Sequence, residues 1–140
     1  MKSPAASADL ADLPALKVLA RARAEGRMPH AVLLTGADGA VLARAAELLA
    51  GMHLGDPAPL VHPDCRVLRP AGLSRIINVE TAQEVVAMLG LSSVTERRVV
   101  IIHEPDRLNS SASNCLLKTL EEPPPGTLII LQTANYYAVL

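Results

Sequence analysis

Apolar stretches of strand length alternate along the chain with stretches whose apolar positions recur at helical spacing. Leu13, Leu16, Val18 and Leu19 mark a first short helix ending near Gly26, behind a small, polar tail over residues 1–9. Ala31 to Thr35 (AVLLT) predicts a strand closed by Gly36, and Leu42, Ala45, Ala46 and Leu49 share one face of a helix from Val41 to Met52. From Gly51 to Leu73 the chain is rich in Pro, Gly, Asp and His and reads mostly as loop, with one short strand at Cys65 to Leu68. Ile76, Ile77 and Val79 then lead to a helix from Glu80 to Leu89, capped by Gly90.

The second half carries stronger signals. Arg98 to His103 (RVVIIH) has an unbroken β-branched interior, which suits a strand covered on both faces. Asn109 or Ser110 caps the next helix, which presents Ala112, Leu116, Leu117 and Leu120 until Pro123, Pro124 and Pro125 stop it. Thr127 to Gln132 (TLIILQ) is the last strand. Strands alternating with helices predict right-handed βαβ crossovers and a mainly parallel sheet, so the fold class is α/β. Residues 1–27 divide off as a tail and short helix, and residues 28–140 form one domain.

Composition narrows this reading. Half of the 140 residues are apolar but only Tyr136 and Tyr137 are aromatic, so the core has to be aliphatic. A net charge of -1 gives no global attraction to nucleic acid, and Arg97, Arg98 and Arg107 form no contiguous basic stretch. Cys65 and Cys115 are too few for a disulfide framework, and no charged segment followed by an apolar one opens the chain. The expected compartment is the cytoplasm. No apolar run approaches the roughly 18 residues that span a bilayer.

A strand, a glycine turn and a helix form the setting in which G-x-x-x-x-G-K-[ST] loops cradle phosphates with backbone N–H groups. Here the loop reads Gly36-Ala37-Asp38-Gly39-Ala40-Val41-Leu42-Ala43. Counted from Gly36, Val41 stands at the second glycine, Leu42 at the lysine and Ala43 at the magnesium-binding hydroxyl. A unit charge beside a phosphate is worth about 4 kcal/mol at roughly 4 Å and an effective dielectric near 20, and Leu42 supplies none of it. Asp38 adds repulsion. Arg44 is an alternative cation, although a helical neighbour points about 100° away from its predecessor. The competing reading is a plain tight turn.

The buried strand ends in His103-Glu104-Pro105-Asp106, where nucleotide hydrolases place one acid for magnesium and a second to orient water. His103 replaces the first acid, and a neutral imidazole is a poor ligand for so hard an ion. Glu104 is then a catalytic base without a metal, or a polar strand-end residue.

Val99 to Asn109, followed by Ala112, Asn114 and Leu116 to Thr127, resembles the bacterial clamp-loader ATPase family, with Leu117 to Pro124 (LKTLEEPP) close to a signature. His30-Ala31, His62-Pro63-Asp64 and Ile77-Asn78-Val79 resemble the delta-prime branch of that family. The resemblance covers roughly Met28 to Asn135. It implies a RecA-like AAA+ core of three layers, in a subunit that need not hydrolyse ATP and stands beside gamma or tau and delta subunits. It implies membership of a DNA polymerase complex, action on the sliding clamp and primer–template DNA only indirectly, and no bound ATP or magnesium. Asn135 matches the family's sensor-1 position.

Two departures accompany the resemblance. The family continues to a Ser-Arg-Cys motif, a further strand and a lid domain, so an end at Leu140 leaves the first strand at an open edge and no residue to serve as arginine finger. Many relatives also carry a four-cysteine zinc module where only Cys65 remains; His53, His62, Asp64 and Cys65 lack an established zinc spacing, so no metal is expected. Cys65 and Cys115 read as packing residues instead. Lys118, Glu121 and Glu122 form the polar face of the signature helix, either solvated or, as the resemblance implies, against a neighbouring subunit.

Overall fold

The computed structural model describes residues 14–91 and 96–134. In chain order these form α1 (Pro14–Ala24), β1 (Ala31–Thr35), α2 (Gly39–Leu54), β2 (Cys65–Leu68), α3 (Val79–Leu89), β3 (Arg98–His103), α4 (Ser110–Glu121) and β4 (Thr127–Thr133), with single 3₁₀ turns at Pro59–Val61 and Pro105–Arg107. The four strands make one sheet in the order β1-β4-β3-β2, and every pairing is parallel.

The unbroken apolar runs occupy the middle of this sheet for a simple reason. Side chains alternate between faces along a strand, so a strand covered on both sides must be apolar throughout. In β3 and β4, Val99, Ile101, Leu128 and Ile130 pack with Ala46, Leu49, Ala50 and Leu54 of α2 on one face. Their neighbours Val100, Ile102 and Ile129 pack on the other face with Ala82, Val85, Met88 and Leu89 of α3 and Ala112 and Leu116 of α4. Helix, sheet, helix is the three-layer arrangement that the family resemblance implies. Each fully buried Val, Ile or Leu contributes roughly 2 kcal/mol of transfer free energy, so the aliphatic clusters of the described residues bury enough to hold the layers together.

Side-chain caps fix where the helices begin. Asn78 Oδ1 accepts from Thr81 N at 3.1 Å, and Asn109 Oδ1 accepts from Ala112 N at 2.8 Å, which decides for Asn109 over Ser110 as the start of α4. The second helix is longer than expected. It runs through His53 and Leu54 to Gly55, whose left-handed φ of 71° closes it, so the first residues of the predicted loop are helical and buried. Leu117 is also misplaced by the sequence reading. A helical step of about 100° carries it off the face shared by Ala112 and Leu116, and it is 51% exposed.

β1 lies at one edge of the sheet and, among the described residues, pairs on one side only, with Ala31 opposite Ile129 and Thr35 opposite Thr133. Its residues alternate between exposed and half-buried, unlike the covered strands beside it. Leu13, Tyr136, Tyr137 and the sensor-1 position Asn135 lie outside the described residues.

Candidate functional site

In parallel α/β sheets ligands collect beyond the carboxyl ends of the strands, where successive connections leave for opposite faces. Here β1 feeds α2 on one face, while β2 and β3 feed α3 and α4 on the other. Beyond those strand ends lies a cleft of about 690 Å³, lined by Gly39 and Ala43 from α2, Arg69, Pro70 and Arg75 after β2, His103, Glu104, Asp106 and Arg107 after β3, and Gln132, Thr133 and Ala134 at the end of β4.

The glycine loop forms the wall beside α2. Asp38 is the N-cap of that helix, and its Oδ1 accepts from Ala40 N at 2.9 Å and from Val41 N at 3.3 Å. A helix N-terminus attracts anions because its first N–H groups have no intrahelical acceptor. Two of those groups already face a carboxylate that belongs to the chain. Leu42, at the lysine position, does not reach the cleft; it is 6% exposed, and a Cβ placed on Gly36 would meet its Cδ2 at 3.4 Å. Ala43 does line the cleft but has no hydroxyl to offer. Arg44, the alternative cation, turns to another surface and pairs with Glu47 at 3.1 Å.

Across the cleft the acidic strand end is tied up in local bonds. His103 is buried, and its Nδ1–H donates to the side-chain oxygen of Gln132. Burial foremost, with the Arg69 guanidinium second, holds its pKa below the ordinary 6.5, although Gln132 and Glu104 pull the other way. Glu104 adopts a left-handed conformation, φ 56° and ψ 63°, and its carboxylate pairs with Arg75 at 3.3 Å. Thr133 Oγ1 donates to Asp106 Oδ1 at 3.4 Å. Among the described residues that line this cleft there is no lysine, the hydroxyl is that of Thr133, bonded to Asp106, and no two acids are adjacent in sequence. The lysine and hydroxyl positions of the phosphate-loop motif are thus held by Leu42 and Ala43, while Arg69, Arg75 and Arg107 supply the positive charge of the lining.

The structure adds residues that the motif count did not single out. Arg69 and Arg75 face the cleft because each follows the carboxyl end of β2, and that position in an α/β sheet is the signal that would have found them.

Lys118, Glu121 and Glu122 are exposed and far from this cleft; the two glutamates belong to a second one, at the opposite end of the sheet. His53, His62, Asp64 and Cys65 do not gather either. His53 Nε2–H donates to Gly126 O at 2.9 Å, and His62 Nδ1 accepts from Asp64 N at 3.0 Å. Among the described residues no three His, Cys, Asp or Glu side chains are placed to hold a metal ion. Cys65 is a buried packing residue, and burial pushes its thiol up to about 11. Cys115 is half-buried against the α3–α4 core.

Residues 12–140 match the family model described as DNA polymerase III, delta subunit. The chain belongs to this family. It is similar to the DNA polymerase III subunit delta' of Bacillus subtilis, with 31% identity over 84% of this chain and 40% of that protein. Subunit tau of the same organism is 30% identical over 88% of this chain and 24% of its own length. A solved gamma subunit-related protein from Thermotoga maritima superposes with a TM-score of 0.74 at 26% identity, covering 89% of this chain and 40% of that one. The chain thus spans less than half the length of these relatives, and the fold they share with it is the RecA-like, AAA+ arrangement of the clamp-loader family. Among the described residues no helix is long and apolar enough to cross a membrane.

Proposed function

We propose that this chain serves as a non-catalytic, delta-prime-like clamp-loader subunit, in the cytoplasm, beside ATP-hydrolysing gamma or tau and a delta subunit. The observation that carries this reading is the Asp38 carboxylate on Ala40 N and Val41 N, where a phosphate would have to sit. Filling that place from within stabilises the loop without nucleotide, and burying Leu42 fixes it further. The contribution to clamp loading is then geometric: a rigid body against which hydrolysing neighbours move, with the sliding clamp and primed DNA reached through other subunits. The Lys118, Glu121 and Glu122 face is a candidate contact with such a neighbour. Asn135 keeps the sensor-1 position but has no nucleotide to sense.

The relatives named tau and gamma keep a second reading in view, and one feature of the cleft favours it. Arg69, Arg75 and Arg107 bring three guanidinium groups to its walls, which could hold phosphate in place of the missing lysine. Calorimetric titration of the 140-residue chain with ATP and magnesium separates the two, run alongside an assay for released phosphate. The inert reading expects neither heat of binding at micromolar concentrations nor turnover. Micromolar affinity with measurable hydrolysis would overturn it.

A further inference from the structure

Between β2 and α3 the chain turns back on itself. Ala71 N donates to Ile76 O at 3.3 Å and Arg75 N to Gly72 O at 3.4 Å, so residues 71–76 form a small antiparallel hairpin. Arg69 and Pro70 before it and Arg75 near its end line the carboxyl-end cleft, which makes the hairpin one wall of that cleft. Its two hinges are fixed. Pro70 and Ile77 are buried, Ile77 N donates to Arg107 O at 2.9 Å, and Asn109 N donates to Ile77 O at 3.2 Å.

Between the hinges no burial holds the wall down. Every residue from 71 to 76 is exposed, and Leu73 at the tip is 106% exposed, the value of a side chain without neighbours. Segments with few buried apolar contacts are those that open locally while the rest of a fold stays intact. Among the described residues, one hydrogen bond joins these six to the rest of the chain: Arg75 Nη2 donates to Glu104 Oε2 at 3.3 Å. Glu104 stands on the fixed side, because its own N–H donates to Gln132 O of β4 at 2.8 Å.

The backbone at this pair is strained. Three non-glycine residues among those described have a positive φ, and two of them, Arg75 and Glu104, each at 56°, are the partners in the pair. A left-handed conformation of an L-residue is disfavoured by about five- to thirtyfold. An ion pair between half-exposed side chains, here 55% and 42% exposed, favours its closed geometry by at most about fivefold. Letting either residue relax therefore offsets the loss of the pair, and closed and open arrangements of the hairpin lie close in free energy.

We propose that the 71–76 hairpin is a flap on the carboxyl-end cleft, held shut by the Arg75–Glu104 pair and opening about Pro70 and Ile77 in the folded chain. Opening removes one wall of the cleft and leaves the sheet and its helices as they are. The inference is independent of the proposed subunit role, since neither nucleotide nor partner enters it.

The test is ¹⁵N relaxation dispersion and chemical-shift mapping on the full chain. The amides of Ala71, Gly72, Leu73 and Ser74 should share one exchange process on the microsecond-to-millisecond scale of lid motions, and those of Ile77 and Asn109 should not take part. Raising the salt from about 20 mM to about 500 mM screens the pair, so the shifts of the four amides should move along a single line. Glu104→Gln at low salt should move them along the same line, with an open population up to about fivefold higher, and should abolish the salt response. The salt titration of the wild type needs no variant and decides the matter if Glu104→Gln does not fold. An absence of exchange in the four amides, or shifts unaltered by salt, would show a fixed wall and overturn the proposal. Exchange that spreads to Ile77 and Asn109 would overturn it by showing that the hinges unfold. A salt response that persists in Glu104→Gln would overturn it by assigning the motion to other charges.

Discussion

The two ends of the sheet treat their polar groups in opposite ways. At the carboxyl end, where α/β folds usually hold ligands, His103 is bonded to Gln132, Arg75 to Glu104, Thr133 to Asp106, and Asp38 to two N–H groups of its own helix. At the amino end, Arg23, His53 and Thr127 each leave a buried atom without a partner. At the customary binding end several polar side chains are engaged by contacts within the chain around an open cleft, and the buried unpaired atoms lie at the other end. Replacement of the motif residues therefore leaves the cleft in place while the polar groups around it pair with one another.

The harshest way to break this contrast is Gly126→Ala. The new Cβ would stand 2.3 Å from Glu96 O at a backbone φ of 83°, so the turn that supports the amino-end cleft must move. Urea unfolding should show a loss of about 3 kcal/mol. Leu42→Lys is next. It restores the missing ammonium but places it at a 6%-exposed position, so a loss of about 2 kcal/mol is expected with no gain in ATP affinity by calorimetry. Micromolar ATP binding by that variant would show that the carboxyl end is closed by one residue alone.

Asp38→Ala sharpens the comparison at smaller cost. Losing the cap should lower stability by about 1 kcal/mol. Sulfate should recover part of that loss in the variant more than it stabilises the wild type, because Ala40 N and Val41 N become available to an external anion. The gentlest probe is pH. His103 has a folded pKa below its ordinary 6.5, so the folded chain binds fewer protons than the unfolded one as the pH drops below that value. Stability should fall as pH is lowered from 6.5 toward the folded pKa. In His103→Gln that part of the decline should disappear from denaturation midpoints measured at successive pH values.

How much of this could be read in advance depended on whether the signal was local. The bounds of β3 follow from RVVIIH, because a strand between two layers of helix cannot afford a polar residue until its end. The three replacements at Val41, Leu42 and Ala43 are likewise visible in a spacing rule. What the pattern could not give was the use of those residues. That Asp38 caps the helix and Leu42 folds against Gly36 depends on the path of the loop, and Asp38, read only as a source of repulsion, is also the helix cap. The amino-end cleft was less legible still. His53 and Gly126 are bonded across 73 positions of sequence, and neither residue type announces such a contact. His53 looked like loop because a polar residue near a glycine-rich segment usually is.

β1 at the sheet edge has a consequence for the order of folding. The pairings of β2 with β3 and of β3 with β4 each close over a single intervening helix, whereas Ala31 meets Ile129 only after about a hundred residues have been brought into place. Contacts of such long sequence separation are slow to form, since the entropy of closing the loop is lost before the pairing rewards it. The glycine loop hangs from the end of this strand. Its self-capped shape is accordingly among the last features to appear during folding and the first to vanish on unfolding, which makes the Ala40 and Val41 amides sensitive reporters of whether β1 is docked.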